Sequence, residues 1–271
     1  MMKRRQNAAK LRIENLENRN LMAGDVAVQV TDGALFLTGD QESNGVELVS
    51  TGVEGQYIVT GLDAGDNATT VNGETAPLVV DGVTRSIHVR LGDGDDTLQA
   101  PNLSVDGPMR VRMGQGDDAV HIGDVEADEA VVEITRGLSI SLGDGDDRVG
   151  IANVNARGIR VSGGAGNDEI LARNTKNRIV RVAGQSGDDD IRVNNVHARH
   201  IGIRSGLGDD SVRVVDSKTQ RLFAHLGLGD DNIAINGTDA RRIRIVGNEG
   251  VNTLETDLAL ADLSASGFGK A

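Results

Sequence analysis

The sequence predicts an all-β fold, a parallel β-solenoid with coils of about 21 residues. Three observations predict it: an acidic glycine motif recurs at a fixed interval, aliphatic residues alternate with polar ones on both sides of each copy, and aromatic residues are almost absent. Aromatic content is 1% against 38% hydrophobic residues in total. A core made of Val, Ile, Leu and Ala suits thin layers of stacked strands.

The repeat is marked by the glycine that precedes each acidic pair. This glycine occurs at Gly94, Gly116, Gly145, Gly166, Gly187, Gly208, Gly229 and Gly250. The last six copies are 21 residues apart, and the first two intervals are 22 and 29 residues, which indicates an insertion around residues 126–136. A weaker copy occurs at Gly65. Regular self-similarity of this kind is typical of solenoids.

Strand positions follow from the alternation around each marker. Aliphatic residues stand seven, five and three positions before it, as in Ile87, Val89 and Leu91, and again four and six positions after it, as in Val149 and Ile151. Period-two alternation predicts strands with one buried face. Each coil is therefore predicted to contain two short strands, joined by a tight glycine turn and a longer polar turn. Two short strands cannot bury themselves, but stacked copies can.

The chain divides into four predicted segments. Residues 1–23 form a basic N-terminal segment that we expect to cap the rod as a helix or irregular structure. Residues 24–84 contain strand-like stretches such as Ala34–Leu37 and Tyr57–Val59, interpreted as degenerate first coils or a cap. Residues 85–256 form the regular solenoid, and residues 257–271 form a C-terminal cap or tail. An end cap is needed because an open solenoid exposes unpaired strand edges.

The two acids of each turn are predicted to face opposite sides, because successive residues of a strand alternate. The second acid shares the inward face with the aliphatic residues. Stacked like carboxylates would lie about 5 Å apart and repel by ~1 kcal/mol per pair in water, and by more in a buried site. A Ca²⁺ ion between turns would remove that cost. The predicted calcium ligands are Asp96, Asp118, Asp147, Asp168, Asp189, Asp210 and Asp231, with the turn glycines Gly94, Gly116, Gly145, Gly166, Gly187, Gly208 and Gly229.

One copy resembles a known family. Gly163-Gly-Ala-Gly-Asn-Asp-Glu-Ile-Leu171 is similar to the nine-residue repeat of the RTX β-roll proteins, Gly-Gly-x-Gly-x-Asp-x-aliphatic-x. The resemblance implies that Ca²⁺ binds between stacked turns through the sixth-position Asp and turn carbonyls, and that the protein is secreted. The sequence departs from the family in having one motif per coil instead of two. The first glycine is also replaced in other copies, for example by Leu91, Met113 and Leu142.

A metal-independent ladder is the alternative to calcium: stacked Asp and Asn side chains would cap the turns, partly neutralised by arginine. The last copy, Gly250-Val-Asn-Thr-Leu254, lacks both acids and has no following coil with which to share an ion, which favours the calcium interpretation.

Two further registers recur in the polar turn. Asn153, Asn174, Asn195 and Asp216 are predicted to stack as a hydrogen-bonded ladder. Arg157, Arg178, Arg199 and Arg241 are interpreted as charge balance, with an anion-binding strip as the alternative.

The N-terminal segment carries a second resemblance. Leu16-Glu17, Arg19, Leu21 and Ala23 are similar to a segment found on surface and exported proteins of planctomycete-type bacteria, which implies an extracellular or cell-surface location.

The composition excludes several classes of protein. The chain has no cysteine, so no disulfide framework is expected. No apolar run reaches the ~18 residues of a membrane span. The net charge of −13 argues against nucleic acid as the partner.

The predicted function is therefore a secreted or cell-surface structural or adhesive module without enzymatic activity, which binds calcium at its turns and other surface or matrix macromolecules through its flat faces. The competing class is a carbohydrate-active β-helix enzyme. Such an enzyme needs a local break in the repeat, and the insertion is the only candidate, with Asp124, Glu126, Asp128 and Glu129. The five histidines, His88, His121, His197, His200 and His225, fall in different registers and are interpreted as surface residues.

Overall fold

The computed structural model describes residues 24–64, 67–124, 132–257 and 263–268. Within these ranges the chain is built of strands and turns and contains no helix. The predicted N-terminal cap at residues 1–23, the weak copy at Gly65 and residues 125–131 of the insertion lie outside the described residues. The all-β solenoid of about eight turns is confirmed.

The strands before the first regular coil are β1 (Asp25–Thr31), β2 (Ala34–Thr38), β3 (Gly45–Ser50), β4 (Tyr57–Ala64), β5 (Asn67–Ala68), β6 (Thr70–Val71) and β7 (Leu78–Val80). The next are β8 (Ser86–Asp93), β9 (Thr97–Ala100), β10 (Leu103–Val105), β11 (Met109–Gln115), β12 (Ala119–Ile122), β13 (Val132–Asp144), β14 (Arg148–Ala152), β15 (Val154–Ala165) and β16 (Glu169–Arg173). The last are β17 (Lys176–Ser186), β18 (Asp190–Asn194), β19 (His197–Leu207), β20 (Ser211–Val215), β21 (Lys218–Leu228), β22 (Asn232–Asn236), β23 (Asp239–Ala240), β24 (Ile243–Val246), β25 (Thr253–Thr256) and β26 (Leu263–Ser266).

Two sheets run the length of the rod. One has 14 strands and contains the odd-numbered series β11 to β21, whereas the other has 12 strands and contains the even-numbered series β12 to β22. Neighbouring strands within these series are parallel and pair residues one repeat apart, as in Ile170 with Ile191 and Val180 with Ile201. The 21-residue period of the sequence is therefore the register of the sheets.

In the coils of β13, β15, β17, β19 and β21 the first strand is longer than the alternation indicated. Strand β15 covers 12 residues, and its pairing with β13 shifts register at a bend between Ile134 and Gly137. The segment interpreted as a polar turn continues the parallel pairing, as in Asn155 with Lys176. Backbone pairing extends through these polar residues because their N–H and C=O groups need partners whatever side chains they carry. The bend divides the long strand into two flat faces.

The core is a continuous aliphatic layer between the sheets. The residues predicted to face inward are buried in every regular coil, as in Ile140, Val161, Ile191 and Ile233. Fully burying such a side chain contributes ~1.5–3 kcal/mol. Because each coil covers its neighbours, the stability is distributed along the rod.

The N-terminal side of the rod is closed by antiparallel pairs. Strands β2 and β3 continue the two sheets in parallel on β8 and β9. Strand β1 then pairs antiparallel with β2, and β4 pairs antiparallel with both β3 and β7. These pairs cover the sheet edges, as a cap must. Across the part of the chain that the structure describes, no helix is long and apolar enough to cross a membrane.

The aspartate turns as a candidate metal centre

The tight turns stack directly on one another, which explains their glycines. Gly116 has a φ of 122°, and a Cβ there would lie 2.4 Å from the carbonyl oxygen of Gly94 in the preceding coil. The backbone conformation and the neighbouring turn therefore both exclude a side chain. The N–H of Gly116 donates to the carbonyl of Asp144 at 2.8 Å, so the turn also takes part in the pairing between coils.

The inner aspartates form one column, and each is at most 2% exposed, which confirms the predicted inward orientation. In each of them Oδ1 accepts a hydrogen bond from the backbone N–H of the equivalent residue in the preceding coil. The N···O distances are 2.8 Å for Asp96 to Asp118, 2.8 Å for Asp118 to Asp147, 3.1 Å for Asp147 to Asp168, 2.9 Å for Asp168 to Asp189, 2.9 Å for Asp189 to Asp210 and 3.0 Å for Asp210 to Asp231.

Neutral asparagines end this column on both sides. The N–H of Asn44 donates to Oδ1 of Asp96 at 2.7 Å, and the N–H of Asp231 donates to Oδ1 of Asn252 at 3.1 Å. Asn252 also donates from Nδ2 to the carbonyl of Gly267 at 2.9 Å. An amide can accept and donate at once, so it connects the column to a carbonyl that a carboxylate would repel.

Sequence reasoning did not assign a role to either asparagine. Asn252 stands two residues after Gly250, which is the position of the inner acid in the other copies, so the repeat itself contained the signal. Asn44 follows Glu42 and Ser43, without a marker glycine, and only the three-dimensional register shows that it belongs to the column.

The outer acids form a second ladder that runs in the opposite direction. Oδ1 of Asp95 accepts from the N–H of Asp117 in the following coil at 2.9 Å, and Oδ1 of Asp209 accepts from the N–H of Asp230 at 2.8 Å. Asn167 takes the same position and accepts from the N–H of Asp188 at 2.7 Å. These side chains are exposed, as predicted. Each turn is thus connected to both neighbouring coils through the two acids of one pair.

The second oxygen of every inner aspartate is buried without a partner. Among the described residues, no hydrogen bond of normal geometry is made to Oδ2 of Asp96, Asp118, Asp147, Asp168, Asp189, Asp210 or Asp231. The N–H of Gly164 near Asp168 and the hydroxyl of Ser205 near Asp210 act only to lower the pKa of those two carboxyls. A buried carboxylate oxygen without a hydrogen bond is costly, so it needs a proton or a cation.

Burial raises the pKa of these carboxyls toward neutrality, and the charges of neighbouring aspartates add to that effect. The pKa rises to about 7 for Asp96, Asp147 and Asp189, to about 8 for Asp118, and to about 6 for Asp168 and Asp210, and it is also raised for Asp231. The backbone N–H that each Oδ1 accepts acts in the opposite direction. Near pH 7 the column is therefore partly protonated when no cation is bound.

Glycines leave two places in the column open. A Cβ at Gly163 would lie 2.0 Å from Oδ2 of Asp168 and 2.8 Å from the carbonyl oxygen of Gly184. A Cβ at Gly184 would lie 2.0 Å from Oδ2 of Asp189 and 2.7 Å from the carbonyl oxygen of Ser205. Carboxylate and carbonyl oxygens of adjacent coils therefore approach a common point there. In four other coils this register holds a buried aliphatic side chain, Leu91, Met113, Leu142 or Leu226, and in the remaining two it holds Ser205 and Gly247.

The structure brings all seven predicted aspartates together in one column and the predicted turn glycines in a neighbouring one. Within the described ranges, no group of three or more His, Cys, Asp or Glu side chains is placed to hold a metal ion. A cation at the turns would consequently depend on backbone carbonyls as well as carboxylates. The calcium role of these residues stays a prediction.

The predicted asparagine ladder is confirmed for one pair, in which Nδ2 of Asn195 donates to Oδ1 of Asn174 at 2.9 Å. The structure adds a second reason for that register. Asn153, Asn174, Asn195 and Asp216 all have φ between 49° and 55°. Asn and Asp tolerate this left-handed conformation better than other side chains.

No protein-family model, no curated protein and no solved structure matches the chain. The similarity of Gly163–Leu171 to the RTX repeat is therefore carried by the residues of that motif alone.

Proposed function

We propose that this chain is a structural β-solenoid that binds calcium along its inner aspartate column. The observation that carries the proposal is the row of buried Oδ2 atoms without partners. A rod with that row of carboxylates needs a positive counter-charge at neutral pH, and Ca²⁺ accepts an irregular set of oxygen ligands more readily than Mg²⁺ does.

The coils with Gly163 and Gly184 fit the ion best. Asp168 and Asp189 would supply carboxylate oxygens, and Gly184 and Ser205 would supply carbonyl oxygens, because these groups already approach common points. The bound ion would supply fixed positive charge between successive turns. The similarity of Gly163–Leu171 to the RTX calcium motif supports the same position.

The wider role that we propose is a surface or extracellular module that is adhesive and not enzymatic. The N-terminal resemblance supports the location. The uniform repetition of the turn acids supports the absence of catalysis, because no inner aspartate differs in burial from its equivalents in other coils. Release of shorter fragments from an acidic polysaccharide, lost when residues 125–131 are deleted, would favour the enzyme instead.

Calcium titration of chelator-treated protein tests the proposal. At pH 8 we expect millimolar Ca²⁺ to raise the Tm by about 5 °C or more, since a ligand at a hundred times its Kd contributes ~2.7 kcal/mol. The double variant Asp168→Asn/Asp189→Asn should lose most of this response, because it changes the two coils that fit the ion best. The outer double variant Asp188→Asn/Asp209→Asn removes the same charge and should keep it.

An unchanged Tm of the wild-type protein across the titration would contradict calcium binding. It would favour the second candidate, a metal-independent solenoid whose inner aspartates are protonated. The complete Oδ1 ladder, ended by Asn44 and Asn252, favours this candidate because it satisfies backbone N–H groups without any ion. Equal responses of the inner and outer variants would place the ion elsewhere.

A further inference from the structure

A basic groove crosses the outer face of the 14-stranded sheet, away from the aspartate turns. It has a volume of about 480 Å³ and extends over strands β11, β13, β15 and β17. Arginines form its two sides: Arg136, Arg157 and Arg178 stand at the bend of the long strands, and Arg110, Arg160 and Arg181 stand on the flat part. All six side chains are exposed, and no acidic residue lines the groove.

These six arginines have no ion-pair partner among the described residues. The ion pairs found there belong to other side chains: Arg148, Arg192 and Lys218. Four outward registers of this face, at nine, eight, six and four residues before each marker glycine, contain no Asp or Glu in any coil from Gly94 to Gly250. The interpretation of the arginine register as charge balance therefore lacks support in the structure.

The floor of the groove is open because it contains two glycines that the backbone does not require. Neither Gly137 nor Gly158 has a positive φ, and a Cβ at either one would meet only a carbonyl oxygen at 3.4 Å. In the next coils the same register holds Ile179 and His200, so side chains are accommodated there. The absence of side chains at these two positions thus shapes the surface without serving the fold.

The arrangement costs stability in the absence of a ligand. In-register arginines of adjacent coils stand about one strand spacing, ~4.8 Å, apart along the rod and repel one another. The positive field reaches the next coil: partial burial lowers the pKa of His200, and the charges of Arg221, Arg199, Arg178 and Arg181 lower it further. A repeating anion along the groove would turn this repulsion into attraction.

We propose that this arginine groove binds a linear polyuronate, a polysaccharide with a carboxylate on each sugar. The guanidinium fork matches a planar carboxylate through two parallel hydrogen bonds. The row at the bend, Arg136, Arg157 and Arg178, repeats at every coil, whereas in the second row Ser139 stands between Arg110 and Arg160. Repetition at the coil spacing suits a chain that lies along the rod with repeating charges. The groove contains no aromatic residue to stack bases, which disfavours single-stranded nucleic acid.

Calorimetric titration with polygalacturonate fragments tests the proposal on the full chain. The buffer contains a chelator, so that binding is independent of the calcium column. We expect saturable binding that weakens when the salt is raised from about 50 to about 200 mM. Arg157→Gln/Arg178→Gln should lower the affinity by about tenfold or more, because a hydrogen bond to a charged group contributes more binding free energy than one between neutral groups. Arg148→Gln/Arg213→Gln, on the other sheet, removes the same charge and should change the affinity less than twofold.

A second variant fills the groove without changing its charge. Gly158→Ile copies the neighbouring coil at Ile179, so we expect an unchanged Tm and an affinity about tenfold lower. Wild-type protein that does not bind polygalacturonate at low salt would overturn the proposal. So would equal losses in the two arginine pairs, an unaltered affinity of Gly158→Ile, or tighter binding of a DNA oligonucleotide of matched charge.

Discussion

The two acids of each turn are neighbours in the chain and opposites in the structure. Asp188 is exposed and accepts a hydrogen bond from the following coil, whereas Asp189 is 2% exposed and accepts one from the preceding coil. The same chemical group therefore serves as a solvated connector on one side of the strand and as a buried connector with one unsatisfied oxygen on the other. Strand alternation alone produces that difference. The two acids differ in free energy because the exposed carboxylate is hydrated, whereas the buried one is not.

The largest expected effect is a pH dependence that arises from the inner column. An aspartate whose folded pKa lies above its unfolded value of 3.8 binds more protons when folded, so stability falls as the pH rises from about 4 to about 8. One pKa unit corresponds to ~1.4 kcal/mol. In chelator we expect the Tm to be ~10 °C or more lower at pH 8.5 than at pH 5.

Thermal melts across this range check that expectation. Asp168→Asn/Asp189→Asn should reduce the slope, and Asp188→Asn/Asp209→Asn should leave it as in the wild-type protein. A Tm that rises between pH 5 and pH 8.5 in chelator would show that the inner carboxylates are stabilised in their charged form without any ion.

The next effect separates the two ladders residue by residue. Asp189→Ala leaves the buried N–H of Asp168 without an acceptor and should lower the free energy of unfolding by ~1–3 kcal/mol. Asp188→Ala exposes the N–H of Asp209 to water and should cost ~0.5 kcal/mol. Denaturant titration at pH 5, where the inner column is largely neutral, measures both. Equal costs would mean that burial does not distinguish the ladders.

The last prediction concerns the positions where asparagine already replaces aspartate. Asn252→Asp adds a buried carboxyl and removes the donor to the carbonyl of Gly267. We therefore expect the free energy of unfolding to fall by ~1–3 kcal/mol at pH 8. Asn167→Asp makes the same exchange in the exposed ladder and should change the free energy of unfolding by no more than ~0.5 kcal/mol. Melting both variants at pH 8 and pH 5 adds a control, because protonation should restore part of the loss in Asn252→Asp only.

Much of the candidate site could be predicted from the sequence. The spacing of the marker glycines identified the coil, and the phase of the strand identified Asp168 and Asp189 as inward. The opposite directions of the two ladders could not be predicted. Each Oδ1 could accept a hydrogen bond from the preceding or the following coil, and these two coils are equally distant in sequence. The role of Asn44 was hidden because it is 52 residues from its partner Asp96, outside any copy of the motif.

The arginine face shows the same limit. The sequence presented Arg157 and Arg178 as a register with two interpretations, charge balance and an anion-binding strip, between which the net charge of −13 does not decide. Net charge says nothing about where charges lie. The structure separates the basic face from the acidic turns and shows that the six arginines of the groove have no carboxylate within reach among the described residues.

The sequence by itself determined the repeat, the two sheets and the inward face of every regular coil. These features depend on the local alternation of apolar and polar residues and on a repeat length that recurs from coil to coil. Only the tertiary structure decided which carboxylate oxygen is satisfied, which glycines the stacked turns require, and that Gly137 and Gly158 open a groove between two rows of arginines. Those properties depend on atoms about 5 Å apart in space and 21 or more residues apart in the chain, where register, burial and water set the energies together.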